Sequence, residues 1–321
     1  MTMSGTDTGL CGPLVNADWI AARLGQPNVK IVDTRFSLSD TSAGRRAYDA
    51  SHLPGAVYMH LDDDLSGTVT RSSGRHPLPP VEEFAESLGA AGIGNADTVV
   101  VYDAAGGAIA ARCWWMLRWL GHEKAAILDG GFSAWSDGGY PVESRKPQVS
   151  PAIFNARPRA WMVVSADEVL DGMSRGEIVV VDAREPERFQ GLEEPIDTVA
   201  GRIPGAVNFP FRDTLTAGDR LLPASELRRR WLGKLAGHAP QQVVCMCGSG
   251  VTACLDLLAM ELAGLEGARL YAGSWSEWIR DPDRPVAGGD GAGLPANRRH
   301  GHSGEPDPPT KRNTSKRAGA R

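Results

Sequence analysis

Short β-branched runs alternate with longer amphipathic stretches along this chain. That alternation is the pattern of an α/β domain built on a mainly parallel sheet flanked by helices. Strands are predicted at 30–33, 56–58, 98–102 and 125–128, and again at 178–182, 206–208, 242–246 and 269–271. After the seventh of these runs, residues 251–264 place Leu255, Leu258, Ala259 and Leu262 at helical spacing.

The two sets of strands are copies of one pattern. Ile31-Val32-Asp33-Thr34-Arg35 is echoed by Val180-Val181-Asp182-Ala183-Arg184, and His52-Leu53-Pro54-Gly55-Ala56-Val57 by Arg202-Ile203-Pro204-Gly205-Ala206-Val207. Val99 to Asp103 matches Val243 to Cys247, and Gly130-Gly131-Phe132-Ser133-Ala134-Trp135 matches Gly273-Ser274-Trp275-Ser276-Glu277-Trp278. The matches keep their order and nearly constant separation, which is the signature of an internal duplication. Two domains are therefore expected, at 14–140 and 161–285, joined by a Pro-, Ser- and charge-rich linker at 141–160. Residues 286–321 carry seven Lys/Arg against three Asp/Glu and almost no large apolar side chain, so a disordered tail is expected there.

The duplication breaks at one chemically telling place. Cys247 opens Cys247-Gly248-Ser249-Gly250-Val251-Thr252, where a strand empties into a glycine loop before a helix, while the first copy has Asp103 there. Reactive groups in parallel sheets gather beyond the carboxyl ends of the strands. Backbone N–H groups and a helix N-terminus at such a loop favour thiolate over thiol. Position alone leaves Cys247 open to the reading of a buried filler, the commoner fate of a cysteine after an apolar strand. The glycine loop turns the balance toward a nucleophile. Cys245 precedes it by two residues, but no further ligands at matching spacing suggest a metal site.

Composition narrows the class. The chain has 321 residues, 42% hydrophobic and 23% charged, with a formal net charge of −5. The acidic balance argues against a nucleic-acid partner. Asp103, Arg112 and Arg118 interrupt the most apolar stretch, which argues against a membrane span. Five cysteines without framework spacing, and no basic-then-apolar start over residues 1–16, make a cytoplasmic location the expectation.

With the duplication, the Asp-x-Arg strands, the Ile-Pro-Gly-Ala turn and the Cys-Gly-Ser-Gly-Val-Thr loop assembled, the chain resembles the tandem-domain rhodanese sulfurtransferases over roughly residues 14–285. The loop is similar to that of the 3-mercaptopyruvate branch, whereas the thiosulfate branch carries Arg and Lys after the cysteine. Neutral Gly248, Ser249 and Gly250 suit a monoanionic keto acid better than a dianion. The resemblance implies an α/β fold of two rhodanese-like domains and attack of Cys247 on the donor's sulfur. A persulfide and pyruvate result, and the outer sulfur then passes to a thiol acceptor such as a small thiol or thioredoxin. It implies no cofactor and no metal.

The resemblance also implies roles for particular residues. The amides of Gly248, Gly250, Val251 and Thr252 would cradle the sulfur, with the Thr252 hydroxyl as an added donor. Arg188 would hold the donor's carboxylate through its guanidinium fork, although residue chemistry alone would equally make it an ion-pair partner. A second arginine found in some relatives is replaced here by Asp197, so the carboxylate is expected to rest on Arg188 alone. Asp62 and His76, from the long loop of the first copy, would form a proton relay with Ser249. The first domain, with Asp103 at the cysteine position, would be catalytically silent. Three other readings stay open: thiosulfate:cyanide transfer, a non-catalytic persulfide carrier or binding module, and a cysteine phosphatase. The last is weakened because Ala253 stands where a Cys-x5-Arg phosphate loop needs its cation.

Overall fold

The runs predicted at 98–102, 125–128, 178–182 and 242–246 become strands buried on both faces, as parallel strands covered by helices must be. In a computed structural model that describes residues 9–288 and 293–294, the first half contains β1 (Leu14–Val15), α1 (Ala17–Ala21), β2 (Val29–Asp33), α2 (Ala43–Ala50), β3 (Val57–Tyr58), α3 (Val81–Ala90), β4 (Thr98–Tyr102), α4 (Ala110–Trp119), β5 (Ala125–Leu128) and α5 (Gly131–Asp137). The second half contains α6 (Ala166–Ser174), β6 (Val179–Asp182), α7 (Pro186–Gln190), β7 (Val207–Asn208), α8 (Ala224–Leu235), β8 (Val243–Met246), α9 (Ala253–Leu262), β9 (Arg269–Leu270), α10 (Ser274–Trp278), β10 (Val286–Ala287) and β11 (Gly293–Leu294).

Each half builds one parallel sheet, in the order β1-β5-β4-β2-β3 and β7-β6-β8-β9. The registers correspond: Ile31 lies opposite Val100 in the first sheet and Val180 opposite Val244 in the second. The one strand of these sheets without a sequence signal is β1, a two-residue edge pairing Leu14 with Ile127. It is too short to show a period.

The duplication extends to hydrogen bonds. Phe132 N–H donates to Asp103 O at 2.8 Å, and its counterpart Trp275 N–H donates to Cys247 O at 3.0 Å. Trp135 and Trp278 each bury an indole whose N–H reaches the carbonyl of a proline, Pro141 and Pro285. Arg35 and Arg184 close on Asp33 and Asp182 as fully buried ion pairs, at 2.6 and 2.7 Å. These pairs cap the carboxyl ends of β2 and β6, which are interior strands.

The halves share one core. Both α4 and α9 are buried almost all round, which marks helices enclosed by protein. They pack on each other across the domain interface, merging Trp114, Trp115 and Met116 with Leu255, Leu257 and Leu258 in one cluster. Residues 141–159 run extended along the first domain, where Ala152 N–H meets Gly89 O and Arg157 N–H meets Leu120 O. The expected tail begins later than residue 286: Val286 and Ala287 are buried, Val286 packs into the second domain's core, and Ala287 pairs with Arg202. Most of the rest of the tail lies outside the described residues. Among the described residues, no helix is long and apolar enough to cross a membrane.

Candidate active site

Cys247 follows β8 directly and sits at the bottom of a cleft between the domains, its side chain 2% exposed. Two unusual backbone positions hold it. Gly250 has φ of 75° and its N–H points back to Cys247 Sγ at 3.2 Å. A Cβ there would run into the Ala272 carbonyl oxygen, so only glycine fits. Ser274 also sits in the left-handed region, with φ of 55°, and its hydroxyl accepts the Cys247 N–H at 3.1 Å while donating to Tyr271 O at 2.9 Å. Its counterpart in the first domain is Gly131, also at φ of 55°. Aligning the two copies could therefore have singled out Ser274, a serine where the repeat wants glycine.

The sulfur cradle is narrower than the loop's composition implied. Among the described residues, Gly250 supplies the one amide bonded to Sγ. Gly248, Val251 and Thr252 line the cavity beside the sulfur without bonding to it, because α9 starts only at Ala253 and their amides follow the loop's own path.

The first domain reaches across to complete the site. His76 Nδ1 lies 2.8 Å from Ser249 Oγ, and Nε2 lies 3.1 Å from Asp62 Oδ1. A carboxylate only accepts, so Nε2 carries the proton and Nδ1 accepts the Ser249 hydroxyl. Burial pushes His76 down to about 4, against the raising effect of Asp62, and Arg112 and Arg75 push it the same way as burial. The ring is thus a neutral base within reach of the loop. Asp62 and His76, from one loop of the first domain, and Ser249, 173 residues beyond His76 in the second, are brought into one hydrogen-bonded chain.

Arg112, which the sequence did not flag, ties this loop to Cys247's loop. Fully buried on α4, it donates to Gly250 O at 3.1 Å, His76 O at 3.1 Å and Leu65 O at 3.3 Å. Its only sequence signal was a cation inside an otherwise apolar helix.

Arg188 faces the cavity but is already engaged. Its Nε and Nη2 grip Glu194 at distances of 2.7 to 3.1 Å, and Nη2 also reaches Asp197 at 3.0 Å. Arg75 from the first domain pairs with the other oxygen of Asp197. Asp197, which stands where a second arginine was sought, is thus flanked by two guanidinium groups, so Arg188 is not the sole cation at this wall. Burial pushes the Asp197 carboxyl up, and Arg75 pulls it back down.

At the equivalent place in the first domain, the Asp103 carboxylate accepts the amides of Ala105, Gly107, Ile109 and Ala110 at 2.8 to 2.9 Å. The loop binds an anion, and there it is the loop's own side chain. The other thiols are set apart by burial: it pushes Cys113 and Cys254 up to about 12 and Cys245 well up as well. Cys11 is exposed and remote from the cleft. No group of His, Cys, Asp and Glu among the described residues is placed to hold a metal. The cavity over Cys247 is about 230 Å³, walled by Phe36, Leu61, Ile109 and Phe211 as well as by the polar groups.

Comparison with known proteins places this geometry. The rhodanese-like domain family matches residues 16–137 and again 165–281. A Pseudomonas aeruginosa protein named "Probable 3-mercaptopyruvate sulfurtransferase" is 44% identical over 279 residues, spanning 86% of this chain and 98% of that one. The Homo sapiens 3-mercaptopyruvate sulfurtransferase is 36% identical over 84% of this chain and 92% of its own. Among solved structures, 3-mercaptopyruvate sulfurtransferase from Leishmania major superposes with a TM-score of 0.75 at 32% identity, covering 83% of this chain and 74% of that one. The chain belongs to the rhodanese-like family, carrying its domain twice.

Proposed function

We propose that this protein is a sulfurtransferase that takes sulfur from 3-mercaptopyruvate onto Cys247 and passes it to a thiol acceptor. The observation that carries this reading is the Ser249–His76–Asp62 chain assembled beside Cys247. A donor with an enolisable ketone needs a proton moved, and such a chain moves one.

The Cys247 thiolate attacks the donor sulfur. A sulfur–sulfur bond forms, the donor's carbon–sulfur bond breaks, and its electron pair leaves as the enolate of pyruvate. The proton of the donor thiol passes through Ser249 to neutral His76 and returns to the enolate carbon. Asp62 holds the ring's tautomer and steadies the transient imidazolium. The products are pyruvate and a Cys247 persulfide, with charge and protons balanced. An acceptor thiol then attacks the outer sulfur and Cys247 leaves again as thiolate. Gly250 N–H, already on Sγ, stays with the inner sulfur through both steps. The first domain contributes His76, Asp62 and one wall of the cleft but no second nucleophile, since its loop holds the Asp103 carboxylate.

Two facts support the keto acid over a dianionic donor. Gly248, Ser249 and Gly250 add no charge beside the sulfur, and the arginines at the wall are largely neutralised by Glu194 and Asp197. Incubation with 3-mercaptopyruvate and a small thiol should release pyruvate, with Cys247→Ser inactive. Equal pyruvate release from the serine variant would refute the reading, and a higher kcat/KM for thiosulfate on the same preparation would reassign the donor.

A further inference from the structure

We propose that His60 is a positioning residue of the proton relay: its ring fixes the Asp62 backbone so that the Asp62 carboxylate stays on His76. The role rests on the mercaptopyruvate reading above and deepens it.

The two partners of the ring set its tautomer. His60 Nε2 lies 2.8 Å from the Thr41 carbonyl oxygen, which only accepts, so this nitrogen carries the proton. Nδ1 keeps its lone pair, and the Asp62 N–H donates to it at 3.2 Å. An amide N–H only donates, so both partners ask for the same neutral ring. Asp63 Oδ2 lies 3.4 Å from Nδ1 as well, but that side chain is 81% exposed and open to solvent.

The main chain of His60 holds the same turn. Its N–H donates to Asp64 Oδ2 at 2.6 Å, and its carbonyl accepts Asp64 N–H at 2.9 Å and Leu65 N–H at 3.1 Å. The ring adds the Asp62 amide, which has no other acceptor among the described residues. That grip matters because the Asp62 side chain is 38% exposed and meets His76 Nε2 through one oxygen at 3.1 Å. On a wandering backbone such a carboxylate would leave the imidazole for water. The His60 ring is only 12% exposed and stands edge-on to Phe36, with 5.3 Å between centroids. Phe36 walls the cavity over Cys247, and Thr41 lies on the same loop between β2 and α2. One imidazole thus ties the donor cavity to the relay.

The duplication separates this role from a general need of the fold. Met59 N–H donates to Asp33 O at 3.0 Å and its counterpart Phe209 N–H to Asp182 O at 3.0 Å, so His60 aligns with Pro210. Proline has neither an N–H nor a polar side chain to offer. At the place of Asp62 the second copy has Arg212, which pairs with Glu185 on the surface. The imidazole stands only in the half that carries the relay.

The test follows pyruvate release from 3-mercaptopyruvate on the full chain, and beside it the rate at which iodoacetamide alkylates Cys247, read by mass spectrometry. His60→Asn places an oxygen where Nδ1 stands and drops the Thr41 bond, whereas His60→Gln reaches Thr41 and drops the acceptor. The kcat should fall about 10-fold in His60→Gln and stay within about twofold of wild type in His60→Asn. KM and the alkylation rate should be unchanged in both. In an Asp62→Ala background, His60→Gln should cost nothing further. Equal losses in the two variants, alkylation that slows in step with kcat, or additive losses with Asp62→Ala overturn the role of His60 and leave the mercaptopyruvate reading standing. A wild-type chain that releases no pyruvate overturns both.

Discussion

Ser274 is a side chain in a backbone conformation that glycine tolerates and serine resists, a cost of about 1 kcal/mol or more. The site keeps it because its hydroxyl is the acceptor for the Cys247 amide. Replacing it with alanine removes the bond and keeps the strain, so Ser274→Ala should cost about 1 kcal/mol of stability and slow pyruvate release. Ser274→Gly should recover the stability and not the rate; denaturant titration and steady-state assays on the pair separate the effects. His76 carries a second residue-level consequence. Unfolded, its imidazole takes a proton near 6.5, whereas burial holds the folded value at about 4. Between those values the unfolded chain binds a proton that the folded chain does not, so stability falls as pH drops through that window and is fully present above it. The denaturation midpoint should therefore fall from pH 7 to pH 5 more steeply than in His76→Gln. The pyruvate-release profile should show no acid limb at 6.5.

At the scale of elements, the site depends on how α4 meets the loop before α9. Arg112 spans from α4 to Gly250 and to the carbonyls around His76, holding the sulfur loop and the imidazole loop in register. Arg112→Met keeps the length and apolar packing but drops those bonds. Misplacement of about 1 Å between reacting groups is worth on the order of 100-fold in rate, and kcat for the keto acid should fall by about that much. The strands that carry these loops were legible in the sequence because parallel strands are runs of Val and Ile, and because the duplication printed each pattern twice. Cys247 was legible for the same reason, as a cysteine and a glycine loop at the one place where the copies diverge. Arg75 and Arg112 were not. Their roles depend on which loop of one domain faces which loop of the other, and neither local period nor spacing encodes that. Even so, Asp62 and His76 carried a trace in the family likeness of their loop, and the chain they form with Ser249 is hydrogen-bonded from end to end.

The whole molecule joins two copies of one fold that have taken opposite parts. The merged α4–α9 core makes them a single body, with Cys247 on one side and His76 and Arg75 on the other. Large buried side chains such as Trp115 contribute about 2 kcal/mol or more each to that union. The Asp103 loop has a consequence for counting. Its amides are saturated by its own carboxylate, and Ala105 stands where Ser249 stands in the other copy. With no thiol at this place, that half is expected to hold no sulfur. Titrated with donor in the absence of acceptor, the protein should reach an end point of one sulfur per chain, and Cys247→Ser should bring that stoichiometry to zero.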